Sequence, residues 1–144
     1  MEPAEIARRC AESMYAADRA SQRLGIEISD VGPGRATASM TVQEDMVNGH
    51  GMCHGGYVFT LADTAFAFAC NTYDNRTVAA GADVSFLAPV AAGERLTARA
   101  TERSRRGRSG LYDVTVSRAD GDVVAEFRGR SRSLGARMLD SPDR

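Results

Sequence analysis

The stretch MCHGGYVFTLADTAFAFACN, Met52 to Asn71, decides how the rest of the chain reads. A glycine pair near its start is followed by an almost wholly apolar run with one carboxylate, Asp63, near its middle. Val58, Leu61, Ala62, Ala65, Phe68 and Ala69 form one stripe at helical spacing, and Phe59, Asp63, Phe66 and Cys70 form a second. A helix that is apolar on nearly every face belongs in a core. An ionised carboxylate there is destabilising unless it is paired or its pKa rises. No Lys or Arg occurs between Gly56 and Asn75 to pair with it. The pattern predicts a buried helix from about residue 55 to 73 whose acid serves chemistry. The alternative is a structural acid hydrogen-bonded to a neighbouring loop.

The flanking segments supply what such a helix packs against. Residues 3–23 read as an amphipathic N-terminal helix, with Ile6, Cys10, Met14 and Ala17 on one side and Gly25 as terminator. A short strand over 24–31 and the turn Gly32-Pro33-Gly34 lead into Arg35–Val42, where Ala36, Ala38, Met40 and Val42 alternate with polar residues. Residues 43–54 form a loop. Strands then follow at 77–89, 94–104, 111–118 and 123–133, with Ala92-Gly93 and Asp120-Gly121 as turns. The expected fold is α+β: one long helix across an antiparallel sheet of five to six strands, plus the N-terminal helix. All of 1–144 reads as a single domain, with its core in 24–134 and a frayed tail at 135–144. One central helix leaves a sheet face and flanks uncovered, so an oligomer is expected.

Composition narrows the function. A chain of 144 residues suits one domain with a sizeable core. The basic residues are all Arg, and a net charge of −1 argues against nucleic-acid or anionic-membrane partners. Cys10, Cys53 and Cys70 are too few and too odd for a disulfide framework, which points to a reducing, cytoplasmic setting. The charged N-terminus lacks the apolar run of a signal peptide, and no apolar segment has the length to span a bilayer.

The run Asn48-Gly49-His50-Gly51-Met52-Cys53-His54-Gly55-Gly56, continuing Phe59-Thr60-Leu61-Ala62-Asp63-Thr64-Ala65-Phe66, resembles the acyl-CoA thioesterases of phenylacetic-acid degradation. The strand end Val84-Ser85-Phe86-Leu87-Ala88-Pro89 extends the likeness. The resemblance implies the hotdog fold and hydrolysis of an acyl-CoA, an aryl-acyl one such as phenylacetyl- or hydroxyphenylacetyl-CoA, to free acid and coenzyme A. It implies Asp63 as general base or nucleophile, the Gly55 N–H as the group that polarises the thioester carbonyl, and Asn48 as a loop residue orienting water or the carboxylate. It also implies that acid and glycine meet across a homodimer interface, with dimers pairing into homotetramers. No cofactor is required beyond the coenzyme A of the substrate. Relatives often carry a hydroxyl on the strand after the helix. Here that region reads Ala79-Ala80-Gly81-Ala82-Asp83, where Asp83 either faces the acid or is a charge on an exposed strand face.

The chemistry of the residues points the same way. A helix N-terminus presents unsatisfied N–H groups and partial positive charge, and Gly55-Gly56 lets a carbonyl approach that backbone. Tight helix–sheet packing is the other use of such glycines. Asp63 in an apolar wall gains a raised pKa and becomes a better base near neutrality. His54 is either a helix cap or a second group on the substrate carbonyl, and Thr64 bonds either substrate or its own helix. Phe59, Phe66, Phe68, Tyr57 and Phe86 line an aromatic acyl pocket or belong to the core. Arg105 and Arg106, in the basic run Arg103–Gly110, are candidates for the coenzyme A phosphates, or else a solvated turn. His50, Cys53 and His54 have the right atoms for a metal but no second ligand pair, so no metal is expected. The rival activities are a hydratase or dehydratase using His54 with Asp63, and a non-catalytic acyl-CoA-binding protein.

Overall fold

The computed structural model describes residues 1–139. Two helices stand where one was expected over 3–23: α1 (Pro3–Ala17) and α2 (Arg19–Leu24). Asp18 makes the break. Its carboxylate accepts from the Ser21 N–H at 3.0 Å and the Ser21 hydroxyl at 2.6 Å, so it caps a new helix in place of continuing the old one. Gly25, at φ 71°, then ends α2.

Six strands form one sheet: β1 (Glu27–Gly32), β2 (Arg35–Thr41), β3 (Thr77–Phe86), β4 (Arg95–Arg106), β5 (Ser109–Arg118) and β6 (Val123–Ser133). Their order is β1-β2-β4-β5-β6-β3, every neighbouring pair antiparallel, which leaves β1 and β3 as edges. Leu24 belongs to α2, so the first strand begins later than expected. β3 stops at Phe86, short of Pro89, because the Leu87 and Ala88 N–H groups both turn to the Val124 carbonyl. The run Arg103–Gly110 is mostly ladder; only Gly107 and Arg108 form the turn, with Gly107 at φ 57°.

The central helix, α3 (Gly55–Cys70), lies on one face of this sheet. It ends three residues before the expected Tyr73 because the Asn71 side chain takes over. Asn71 donates to the Ala67 and Thr77 carbonyls and accepts the Thr77 N–H, each at 2.9 Å, and so steers the chain into β3. Ala36, Ala38, Ala98 and Ala100 on β2 and β4 are buried on the same face, where their small side chains let the helix approach closely. Phe66 packs at 5.8 Å from the Phe127 ring and 5.7 Å from Tyr112, over Gly129. A Cβ at Gly129 would lie 2.7 Å from the Phe66 ring. Gly129→Ala is therefore expected to destabilise the fold by about 1–3 kcal/mol, read as a lowered Tm, because this buried ring has nowhere to retreat.

The helix is less enclosed than its sequence implies. Phe59, Thr60, Asp63 and Ala67 are only half-buried. Phe59 sits edge-on to Phe127 of β6 at 5.4 Å, so this open stripe faces the β6–β3 side of the sheet. Beyond β6, residues 134–139 are hydrogen-bonded back to the segment before β3. Asp74, at φ 55°, accepts the Met138 and Leu139 N–H groups at 2.9 and 2.7 Å, and Arg76 bonds the backbone of Ala136 and Leu134. Residues 140–144 of the expected tail lie outside the described residues. Among the described residues no helix is long and apolar enough to cross a membrane.

Candidate active site

The segment entering α3 is shaped by Asn48. Its Oδ1 accepts the His50 and Met52 N–H groups at 2.9 and 3.3 Å, which fixes the amide and leaves Nδ2 unused among the described residues. On either side, the His54 N–H donates to the Met46 carbonyl at 2.8 Å and the Cys53 N–H to the Val90 carbonyl at 2.7 Å. His54 is the N-cap, and its Nδ1 accepts the Gly56 N–H at 3.2 Å. This consumes the Gly56 donor. The Gly55 N–H has no hydrogen-bond partner among the described residues, and it opens the helix where the dipole is positive.

Gly55 lies in an open cleft of about 480 Å³, bounded by Asn48, Met52, Val58, Phe86 and the loop after β3. Phe86 is 54% exposed, yet its ring lies over Gly55: a Cβ there would come within 3.1 Å of it. Asn48, Gly55 and Phe86, each singled out in the sequence for a different reason, line this one cleft. Leu87, Ala88, Pro89 and Val90 complete its wall, a contact set by where β3 ends.

Asp63 sits two turns along α3, half-buried, with no hydrogen bond or ion pair among the described residues. Burial raises its pKa above the ordinary carboxylate range, and burial is the one cause of that shift. Thr64 is buried, and its hydroxyl donates to the Thr60 carbonyl at 2.7 Å, within its own helix.

The remaining candidates stand elsewhere. Arg105 stacks on Tyr73, its guanidinium carbon 3.5 Å from the ring centroid, and comes within 4.0 Å of Glu102. Glu102 in turn accepts from the Tyr73 and Tyr112 hydroxyls at 2.8 and 3.0 Å, and burial with this carboxylate pushes the Tyr73 pKa up to about 12. Arg106 is exposed at the end of β4. Arg105 shares a small pocket with Cys70, the last residue of α3, whose 16 residues put that end about 22 Å from Gly55. One chain does not bring these arginines to the cleft. Asp83 points to the other face of the sheet, where Arg130 binds it at 2.8 Å, so it is the charge on an exposed strand face. Cys53 is buried while His50 and His54 are exposed, and no three potential metal ligands cluster among the described residues.

The profile of the family described as "Thioesterase superfamily" matches residues 50–125, from the loop before α3 into β6. The chain belongs to the thioesterase superfamily. Thioester hydrolysis is accordingly its reaction class. The acyl-coenzyme A thioesterase PaaI of Escherichia coli K12 is 43% identical over 125 residues, which cover 87% of this chain and 89% of that protein. The solved structure of the E. coli PaaI protein, from the phenylacetic acid degradation operon, superposes with a TM-score of 0.93 at 40% identity, covering 96% of this chain and all of that one. A variant of the phenylacetic acid degradation protein PaaI from Thermus thermophilus superposes with a TM-score of 0.78 at 36% identity, over 81% of this chain and all of that one. The hotdog arrangement expected for this thioesterase is the one the chain adopts. The matched segment takes in Gly55, Asp63 and Phe86 and begins two residues after Asn48.

Proposed function

We propose that the chain is an acyl-CoA thioesterase in which Asp63 of one subunit and the Gly55 N–H of another act on the same thioester carbonyl. The observation that carries this reading is a pair of unclaimed groups: a desolvated, unpartnered carboxylate on α3 and a free N–H at an α3 N-terminus. The Asp63 carboxylate takes a proton from water as the water oxygen bonds to the carbonyl carbon. The carbonyl oxygen gains negative charge toward the Gly55 N–H, a donor worth about 3 kcal/mol in such sites. Collapse breaks the carbon–sulfur bond, and the coenzyme A sulfur leaves with the proton held by Asp63. Free acid and free thiol result, with no cofactor or metal beyond the coenzyme A of the substrate. Asn48 Nδ2 is the group that orients the water.

Asp63 and Gly55 are eight residues apart on α3, about 12 Å along its axis, too far to share one carbonyl within a chain. A second copy supplies the missing half. The unpaired edge of β3 and the open stripe of α3 lie toward the same side, and Val78, Phe86 and Leu87 are exposed at or beside that edge. Two-fold pairing of β3 edges sets the Phe86 end of one strand against the Thr77 end of the other. That pairing carries Arg105 and Arg106 of the second copy toward the cleft, where they contact the coenzyme A phosphates. Such homodimers pair further into homotetramers. The three free, buried cysteines fit a reducing cytoplasm.

Phe59 against Phe127 presents an aromatic wall on the Asp63 side of α3, which suits an aryl-acyl group such as phenylacetyl or hydroxyphenylacetyl. The test is kcat/KM over a panel of aryl-acyl and straight-chain acyl-CoAs, following free thiol and any enoyl product. Thiol release with a clear preference for aryl-acyl substrates, on the order of tenfold, is expected. Equal values reject the aryl assignment, and enoyl formation rejects hydrolysis. The acid limb of kcat/KM is expected above the ordinary carboxylate range, since burial raises the Asp63 pKa and only the ionised form accepts a proton. A limb lying within that range assigns the base elsewhere.

A further inference from the structure

The wall of the cleft that faces α3 is the loop after β3, residues 87–94, and it has no regular ladder to hold its shape. Its first residues hang from Val124, whose carbonyl accepts the Leu87 and Ala88 N–H groups at 2.8 and 3.3 Å. Its far end is pinned to Val42, whose carbonyl accepts the Gly93 N–H at 2.8 Å and whose N–H donates to the Glu94 carbonyl at 2.9 Å, and the stretch between is tied by Arg118, the last residue of β5. Arg118 Nη2 donates to the Pro89 carbonyl at 2.6 Å, and Nη1 donates to Glu94 Oε1 at 3.3 Å. Glu94 Oε2 accepts the Ala91 N–H at 2.7 Å, so the carboxylate joins the guanidinium to the loop backbone a second time. Arg118 Nε is buried, with Asp122 Oδ2 3.7 Å away. The planar guanidinium holds these acceptors in one fixed fork, which a flexible ammonium does not reproduce.

Between the two tied points lies Val90, buried, whose carbonyl accepts the Cys53 N–H at 2.7 Å. Cys53 precedes Gly55 by two residues, and the neighbouring backbone tie on this approach is the His54 N–H to Met46. A hydrogen-bonded path thus runs from Arg118 through Pro89 and Val90 to the segment that aims the Gly55 N–H. We propose that Arg118 is a positioning residue for the thioester site, fixing the Val90 carbonyl and through it the direction of the Gly55 donor. What Gly55 donates to rests on the function proposed above; the mechanical link from Arg118 to Cys53 does not.

The link and the function have separate readouts. In Arg118→Met, amide hydrogen exchange at Cys53 is expected to quicken by about tenfold or more relative to Val114, an amide in the middle of β5. A donor displaced by about 1 Å loses up to about 10²-fold in rate, so kcat for the best acyl-CoA of the panel is expected to fall about tenfold with KM within about threefold. Arg118→Lys, which keeps the charge and reaches one acceptor, is expected to recover part of kcat. Unchanged Cys53 exchange together with unchanged kcat overturns the proposal. So does a parallel rise at Cys53 and Val114, which marks general loosening. If Arg118→Met fails to fold, Glu94→Gln carries the same comparison, since it weakens the second tie and leaves the Pro89 contact in place; there about threefold faster Cys53 exchange supports the link and none refutes it. A wild-type protein that releases no thiol from any acyl-CoA refutes the thioesterase reading alone, and the exchange result still decides the link.

Discussion

Asp63→Asn is expected to lower kcat for thioester hydrolysis by about 10³-fold, the middle of the range for losing a general base, while the folded chain survives intact. The substitution keeps the shape of the side chain and removes the group that accepts the proton. Its effect on stability has the opposite sign. Burial raises the Asp63 pKa, so the folded chain holds that proton more tightly than the unfolded chain does. Asp63 therefore lowers stability progressively as pH climbs from the ordinary carboxylate range through the raised value. Asparagine carries no such penalty. At neutral pH the variant is expected to melt at or above the wild-type Tm, and the gap is expected to close as pH falls below the unfolded-state pKa. Activity and Tm measured on the same preparation separate the two roles. A variant that keeps its kcat removes Asp63 from the chemistry, and one that loses both activity and Tm makes it a structural acid.

Such a pattern of lost rate with retained fold is what the sequence of α3 already implies, and the reason is local. Helical period and apolar composition are both properties of neighbouring residues, so the stripe of Val58, Leu61, Ala65 and Phe68, and the acid set off from it, are legible in a single stretch. The alternation of Ala36, Ala38 and Met40 is legible for the same reason. What could not be read depends on competition or on distance. Asp18 breaks the N-terminal helix because a side-chain cap outcompetes a periodicity that runs on regardless. The arginines from Arg103 to Arg108 look like a hairpin tip by composition, yet the ladder continues to Arg106 and Arg105 is held by Tyr73, 32 residues earlier. The half-open stripe of α3 reflects the position of β3 at the sheet edge, which no window of sequence contains. Arg118 carries no signal at all. Its partners Pro89 and Glu94 reach it only through the register of β4 against β5, where Leu96 stands opposite Arg118.

Mixed subunits test the shared site most directly. Gly55→Pro deletes the proposed oxyanion donor at a position that tolerates proline: it is the first residue of α3, and His54 before it is already extended at φ −61°, ψ 133°. The added Cβ comes to 3.1 Å from the ring of Phe86, an exposed side chain that has to give by a few tenths of an ångström. Alone, Gly55→Pro is expected to lose about 10²–10³-fold in kcat, as removal of an oxyanion donor does elsewhere. Co-expressed in equal amounts with Asp63→Asn, it is expected to restore activity. Random pairing makes half of the dimers mixed, and each mixed dimer joins the intact Asp63 of one chain to the intact Gly55 of the other at one of its two sites. About one quarter of wild-type activity per chain should therefore return from two nearly inactive variants. If acid and donor worked within one chain, every site in the mixture would lack one of them, and activity would stay at the level of the separate variants. Recovery near one quarter requires Asp63 and Gly55 to act across two subunits; no recovery, with mixed dimers shown to form by two different affinity tags, rejects the shared site.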